Sequence, residues 1–156
     1  RLALEAPEMV KGVAAIAANL PAPDNMGCKI AASPAHFIGF VEGTLDPINP
    51  YDGGPVTLFG FGNRGNVLSA QNSAQWFANT LGLTATETRA LEPASGMTAV
   101  QKDWVSSNGH VRLISIEGGG HTVPQATYRF PRMFGATFQS DAVLESLWAL
   151  LGSDTH

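Results

Sequence analysis

The sequence predicts an α/β fold with a largely parallel sheet flanked by helices. Short apolar runs rich in β-branched and aromatic residues alternate with segments whose apolar residues recur at helical spacing, which is the order typical of this fold class. With 156 residues, 44% of them apolar, the chain is long enough to build the core of one domain. Its longest apolar stretch, residues 13–20, is far shorter than the roughly 20 residues that a membrane-spanning helix needs.

The first half of the chain is predicted to supply two strands and one complete helix. Residues 1–6 have the pattern of the end of a helix, and residues 13–18 and 36–42 form short apolar runs typical of buried strands. Ser69 is a good helix N-cap and Gly82 a good residue to follow a helix, with apolar residues at helical spacing between them. Together with the strands and the helix of the second half, this gives the order strand, strand, helix, strand, helix, which predicts a largely parallel sheet.

The second half is predicted to supply a hairpin and a final helix. Residues 97–105 and 111–116 have strand composition, and the turn-forming residues between them favour a hairpin. Residues 83–96 show no strand pattern and are predicted to be a loop. Residues 141–151 have one apolar face at helical spacing, which predicts a helix. The three tryptophans are expected in the core.

Charge and composition argue against several kinds of partner. The net charge is −4, only 14% of the residues are charged and there are no charge runs, so the chain has neither a basic surface for nucleic acid nor a polybasic patch for membranes. Cys28 is the only cysteine, so no disulfide can close within the chain. The histidines show no paired spacing typical of a metal site. A neutral or small-molecule partner is therefore expected.

Two loops that follow predicted strands each carry one titratable residue. Asp46 lies in EGTLDPINPYDGG, residues 42–54, and His121 lies in GGGHTVPQ, residues 118–125. The carboxyl ends of strands are where open α/β sheets carry their chemistry, and an acid followed by a histidine is the second half of the order Ser…Asp…His. This order predicts that His121 is a general base and that Asp46 orients it. The alternatives are a turn aspartate and a loop histidine without chemistry.

These two segments resemble a known family. EGTLDPINPYDGG and WVSSNGHVRLISIEGGGHTVPQ are similar to the carboxyl-terminal half of the poly(3-hydroxybutyrate) depolymerase and feruloyl esterase group of α/β-hydrolases. That group has GTxDPxxPY-like and GGGHxxP-like segments, so the resemblance implies that Asp46 is the acid and His121 the base of a catalytic triad. Two positions depart from the group: Glu42 stands where it often has His or Asn, and Val123 where it often has Trp.

The resemblance implies a secreted or periplasmic enzyme that hydrolyses a polyester or plant-derived ester through an acyl-enzyme and needs no cofactor. Tyr51 and Trp104 are candidates for substrate contact. No serine of the chain lies in the G-x-S-x-G context of the nucleophile. Residues 1–156 are therefore expected to be a partial hydrolase domain, inactive alone, whose nucleophile would lie before Arg1. The missing amino-terminal half, or a second copy of the chain, is expected to cover the edge of the strand at residues 13–18.

Two further interpretations remain open. Residues 60–65 read GFGNRG, a G-x-G-x-x-G pattern that occurs in dinucleotide-binding turns. In such a turn the helix begins within the glycines and an acid about 20 residues later ends a second strand. Here the helix cap is only at Ser69, and Glu87 lies where no strand is predicted. The second interpretation is a catalytically inactive hydrolase half that acts in binding or assembly.

Overall fold

The computed structural model describes residues 1–30 and 33–152 of the chain, and these form a mixed α/β structure. The strands are β1 (Gly12–Ile16), β2 (Phe37–Gly43), β3 (Gly54–Pro55), β4 (Asn66–Val67), β5 (Ala85–Ala94), β6 (Met97–Ser106) and β7 (Gly109–Ile116). The helices are α1 (Leu2–Glu5), α2 (Ala70–Leu81) and α3 (Ala142–Gly152), with 3₁₀ turns at Pro7–Met9 and Arg132–Phe134. Within the described ranges, no helix is long and apolar enough to cross a membrane.

The main sheet is only partly parallel. Over the described residues it has five strands in the order β1-β2-β7-β6-β5, while β3 and β4 form a separate small ribbon. The pairs β1–β2 and β2–β7 are parallel, whereas β6–β7 and β5–β6 are antiparallel. The predicted α/β class is therefore confirmed, but the sheet is mixed because the hairpin at its end extends it with antiparallel strands.

Strand β5 corrects the prediction that residues 83–96 are a loop. It pairs antiparallel with β6 along most of its length. The side chains at residues 86–90 are all exposed, so neither face of the strand carries an apolar stripe. β5 is an edge strand, and charged side chains such as Glu87 and Arg89 are typical of exposed edges. The sequence lacks a strand pattern here because backbone pairing with β6 holds residues 86–90, and of the strand's described side chains only Leu91 and Ala94, near its end, pack against the core.

The predicted helix between Ser69 and Gly82 is confirmed together with both of its caps. The Ser69 side chain accepts a hydrogen bond from the backbone N–H of Asn72 at 3.1 Å. Gly82 adopts the left-handed conformation, with φ of 68°, that allows the helix to end there. The hairpin of β6 and β7 and the final helix α3 are also found where they are predicted.

Two cores lie on opposite faces of the sheet. Every residue of β2 is buried, and its alternating side chains point to the two faces. Phe40 packs against Phe77 of α2, with ring centroids 6.0 Å apart, while Val41 belongs to the cluster that includes Leu147 of α3. Trp148 does not join this core, since it is 77% exposed. The expectation that all three tryptophans are buried is wrong for this residue.

The parallel pairing of β2 and β7 brings their carboxyl ends to one edge of the sheet. The backbone N–H of Thr44 donates to the carbonyl of Ile116 at 3.0 Å, and that of Leu45 donates to the carbonyl of Gly119 at 2.9 Å. A Cβ at Gly43 would overlap the Gly119 carbonyl, so the close approach of the two loops requires glycine. The loops that follow β2 and β7 are thereby fixed side by side.

Candidate functional site

Asp46 and His121 are in direct contact. Nδ1 of His121 lies 2.8 Å from Oδ2 of Asp46, and the Asp46 side chain is fully buried, whereas that of His121 is 32% exposed. In the tautomer that donates from Nδ1 to the carboxylate, Nε2 is left to accept a proton. The arrangement can therefore act as a general base on a group placed at the exposed side of the ring.

The loop that follows β2 holds the Asp46 carboxylate in place. Its Oδ1 accepts hydrogen bonds from the backbone N–H groups of Ile48 at 2.7 Å and Asn49 at 2.8 Å. These bonds form the turn that the sequence pattern around Asp46 predicts. One carboxylate oxygen thus fastens the turn and the other contacts His121, so the turn interpretation and the catalytic interpretation describe different atoms of the same residue.

Backbone contacts with the turn at Arg132–Phe134 hold the His121 loop. The backbone N–H of His121 donates to the Phe134 carbonyl at 2.7 Å, and that of Gly120 donates to the Ala136 carbonyl at 3.0 Å. A Cβ at Gly120 would overlap the Phe134 carbonyl oxygen. The glycine before the histidine is therefore needed for this close approach. Sequence reasoning missed the supporting segment, which has no chemical motif of its own.

The two residues proposed for substrate contact are placed differently. The Tyr51 hydroxyl lies 2.7 Å from Oγ of Ser115, near the carboxyl end of β7. Trp104 is 2% exposed and pairs in register with Val111, near the opposite end of β7. The structure therefore keeps Tyr51 near the strand ends that carry the Asp46–His121 pair and packs Trp104 in the core.

Glu42 is a buried acid near the site to which sequence reasoning gave no role. Its side chain is inaccessible, with Oε1 accepting from the backbone N–H of Ala18 at 3.0 Å and Oε2 lying 3.4 Å from Nδ2 of Asn49. Burial raises the pKa of Glu42 to about 8; the negative charge of Asp46 also raises it, while the bonds from Ala18 and Asn49 act in the opposite direction. Glu42 is therefore mostly protonated at neutral pH.

A second Asp–His contact lies at the other end of β7. Oδ1 of Asp103 lies 2.7 Å from both Nε2 of His110 and Nε of Arg112, and Gln101 donates to its Oδ2. Burial alone would raise the pKa of Asp103, but the hydrogen bonds from His110, Arg112 and Gln101 outweigh it and lower the pKa to about 2. Arg112 also donates to the carbonyl of Ser146, so this group ties the sheet to α3.

The GFGNRG segment does not have the surroundings of a dinucleotide-binding turn. Phe61, within this segment, forms a β-bridge with Leu58, which precedes it, and the segment leads into strand β4. Helix α2 begins only at Ala70. No helix therefore begins at these glycines, so no helix N-terminus is placed there to face a pyrophosphate. Among the described residues, no group of three or more His, Cys, Asp or Glu side chains is placed to hold a metal ion.

The fold and the Asp46–His121 contact define a mixed α/β protein with a buried aspartate and an accessible histidine at the carboxyl edge of its parallel strands. Over 148 residues, the chain is 27% identical to a protein of Nocardia uniformis subsp. tsuyamanensis named "Putative esterase NocK". The alignment covers 88% of this chain and 42% of that protein, so the chain spans less than half the length of this relative. The likeness supports a hydrolase-like relationship at a coarse level. No protein-family model and no solved structure matches the chain.

Proposed function

We propose that the chain provides the acid and the histidine of a serine ester hydrolase with an α/β-hydrolase fold. The contact between His121 Nδ1 and Asp46 Oδ2, at 2.8 Å, carries the proposal, because it leaves Nε2 as the proton acceptor, as in serine hydrolase triads. Two further observations support it: both residues follow neighbouring parallel strands, and the distant relative is named an esterase.

In the proposed reaction, His121 Nε2 takes the proton of a serine hydroxyl while the serine oxygen attacks the ester carbonyl. The tetrahedral intermediate then expels the alcohol, which receives that proton from the imidazolium, and an acyl-enzyme remains. Water, deprotonated by the same nitrogen, attacks the acyl-enzyme and releases the acid and the serine. Asp46 holds the Nδ1–H tautomer of His121 and stabilises the imidazolium. No cofactor takes part in these steps.

The serine is proposed to come from a polypeptide segment outside this chain, because no serine here lies in a G-x-S-x-G context. Within the described residues β1 pairs only with β2, which leaves its other edge open. A cavity of about 310 Å³, lined mainly by apolar residues, lies beside β1. Asn19, which also lines it, is 9% exposed, and its Oδ1 has no hydrogen-bond partner among the described residues. The open edge of β1 and the unpaired acceptor of Asn19, which lies beyond the end of that strand, could both be paired by that segment.

The proposed substrates are polyester or plant-derived esters, and the proposed location is secreted or periplasmic. Tyr51 is the candidate for substrate contact that lies near the site. The alternative is a hydrolase-like chain without activity that serves in binding or assembly. The two proposals differ in whether a serine becomes labelled by a mechanism-based probe.

The test uses the chain together with the polypeptide segment that supplies the serine, treated with a fluorophosphonate probe and assayed on chromogenic esters. We expect probe uptake, and His121→Ala should lower turnover by about 10⁴-fold or more, in line with triad knockouts. His110→Gln is the matched control, because His110 lies at the far end of β7, and it should leave turnover within about threefold. Absence of labelling, or unchanged turnover in the His121 variant, would refute the esterase proposal and leave binding or assembly.

A further inference from the structure

Glu42 connects two structural elements that meet at the candidate site. One carboxyl oxygen accepts the backbone N–H of Ala18, just beyond the end of β1, and the other lies 3.4 Å from the side-chain amide of Asn49. Asn49 is itself 5% exposed, and its backbone N–H donates to Asp46 Oδ1 at 2.8 Å. A continuous path of contacts therefore runs from the end of β1 through Glu42 and Asn49 to the carboxylate that orients His121.

The surroundings of Glu42 are otherwise neutral or negative. From the loop after β2, the ionised group that acts on it is Asp46, which has the same sign as an ionised Glu42. From β7, its register partner is Ser115, whose hydroxyl contacts the phenol of Tyr51. From the end of β1 it receives the amide of Ala18. No basic side chain among the described residues bonds to Glu42, so its ionised form lacks a counter-ion.

We propose that Glu42 is a positioning residue that fixes the Asp46 loop against the end of β1 and so keeps Asp46 aligned with His121. The inference rests on the proposed function, since it concerns the alignment of the same pair. Glu42 touches neither reacting group and acts through Asn49. An uncharged carboxyl can still accept both of these hydrogen bonds, and it adds no second negative charge beside Asp46.

Ionisation of Glu42 should undo this arrangement. A carboxylate there would be buried without a counter-ion and would repel Asp46, so the loop would shift or admit water. Because the pKa of Glu42 is about 8, this change should begin near that pH. Turnover should therefore fall above about pH 8 as Glu42 ionises.

Two substitutions separate positioning from simple packing, again in the chain with its serine-bearing segment. Glu42→Gln stays neutral at every pH and keeps an oxygen for the Ala18 N–H, so we expect near-normal kcat at pH 7 and no fall in kcat/KM up to about pH 9. Glu42→Leu removes both contacts, and we expect kcat to fall about 10- to 100-fold with KM nearly unchanged, because the aspartate is misaligned.

Asn49→Ala completes a double-mutant cycle and covers the case in which Glu42→Leu does not fold. If Glu42 acts through Asn49, the Glu42→Leu and Asn49→Ala changes should be non-additive in kcat, since each interrupts the same path, and Asn49→Ala alone should lower kcat about as much as Glu42→Leu does. Additive effects, or an alkaline fall that persists in Glu42→Gln, would overturn the inference while leaving the esterase assignment intact. Failure of that assignment is seen separately, as unchanged turnover in His121→Ala.

Discussion

Two Asp–His contacts of nearly equal length lie at opposite ends of β7, and their surroundings give them different properties. The distances are 2.8 Å for Asp46–His121 and 2.7 Å for Asp103–His110. Both carboxylate oxygens of Asp103 have further hydrogen-bond partners, because Arg112 and Gln101 also donate to them. Asp46 receives backbone N–H groups on one oxygen and offers the other to His121.

The comparison shows that an Asp–His distance does not by itself identify a catalytic pair. At Asp103 the charge is neutralised by a buried arginine that also fastens α3, which is the pattern of a structural ion pair. Within the described residues, His121 is the only basic side chain in contact with the Asp46 carboxylate. The negative charge of Asp46 therefore acts on the imidazole. The His121 side chain is 32% exposed and that of His110 is 19% exposed, so His121 is the more accessible of the two histidines, as its proposed role requires.

Replacing each aspartate by asparagine should separate the two roles, and this is the largest expected effect. Asp46→Asn keeps an oxygen for the turn but no longer fixes the Nδ1–H tautomer of His121, so turnover should fall about 10⁴-fold with little change in Tm. Asp103→Asn leaves Arg112 buried without its counter-ion and should lower the free energy of unfolding by about 3–5 kcal/mol. Ester turnover and thermal unfolding of both variants provide the measurement.

The opposite pattern would reverse the assignment of the two pairs. If Asp103→Asn abolished turnover in protein that remains folded, while Asp46→Asn only lowered Tm, the catalytic pair would be Asp103–His110. Equal loss of stability in both variants would mean that both pairs are structural.

The backbone approach at Gly120 gives a second, smaller test. In Gly120→Ala the new methyl group overlaps the Phe134 carbonyl, so the loop must shift and move His121. Turnover should fall about 100-fold, the cost of misplacing a catalytic group by roughly 1 Å. Gly27→Ala is the matched control, since a Cβ there meets nothing within 4 Å. Equal turnover in the two variants would show that the position of this loop does not matter.

Acid pH should weaken the structural pair, with a smaller effect. The folded pKa of Asp103, about 2, lies below its ordinary value of 3.8, so the folded state binds this proton less readily than the unfolded state. Its contribution to stability is therefore complete above about pH 5 and is lost as the pH falls through 4 towards 2. Tm of the wild type should fall more steeply over this range than that of Asp103→Asn. Parallel Tm curves would show that the ion pair adds no stability.

Glu42 should have the opposite pH dependence, which sharpens the contrast between the two ends of β7. Its folded pKa, about 8, lies above its ordinary value of 4.5, so the folded state keeps a proton that the unfolded state releases. Stability should therefore fall as the pH rises from 4.5 to about 8. Glu42→Gln should remove this loss of Tm between pH 4.5 and about 8, without changing the loss at acid pH that comes from Asp103. A slope that is unchanged in Glu42→Gln would contradict the raised pKa.

The sequence by itself determined the elements whose signals are local. The capping residues of α2, the apolar run of β2 and the turn of the β6–β7 hairpin each act over a few residues, and all three are found as predicted. The prediction that Asp46 and His121 are site residues also rests on local signals, because each follows an apolar strand and lies among turn residues or glycines. Their proximity followed from the expectation of parallel strands.

Only the tertiary structure decided the features that depend on contacts between distant residues. β5 is held by pairing with β6 and lacks an apolar stripe, and the Arg132–Phe134 turn has no motif, yet it positions the loop of His121. Glu42 and Asp103 are both acids within strands, and nothing in their local sequence shows that one is a protonated acid while the other forms an ion pair. Burial and the neighbouring charges set a pKa, and both arise only when the chain has folded.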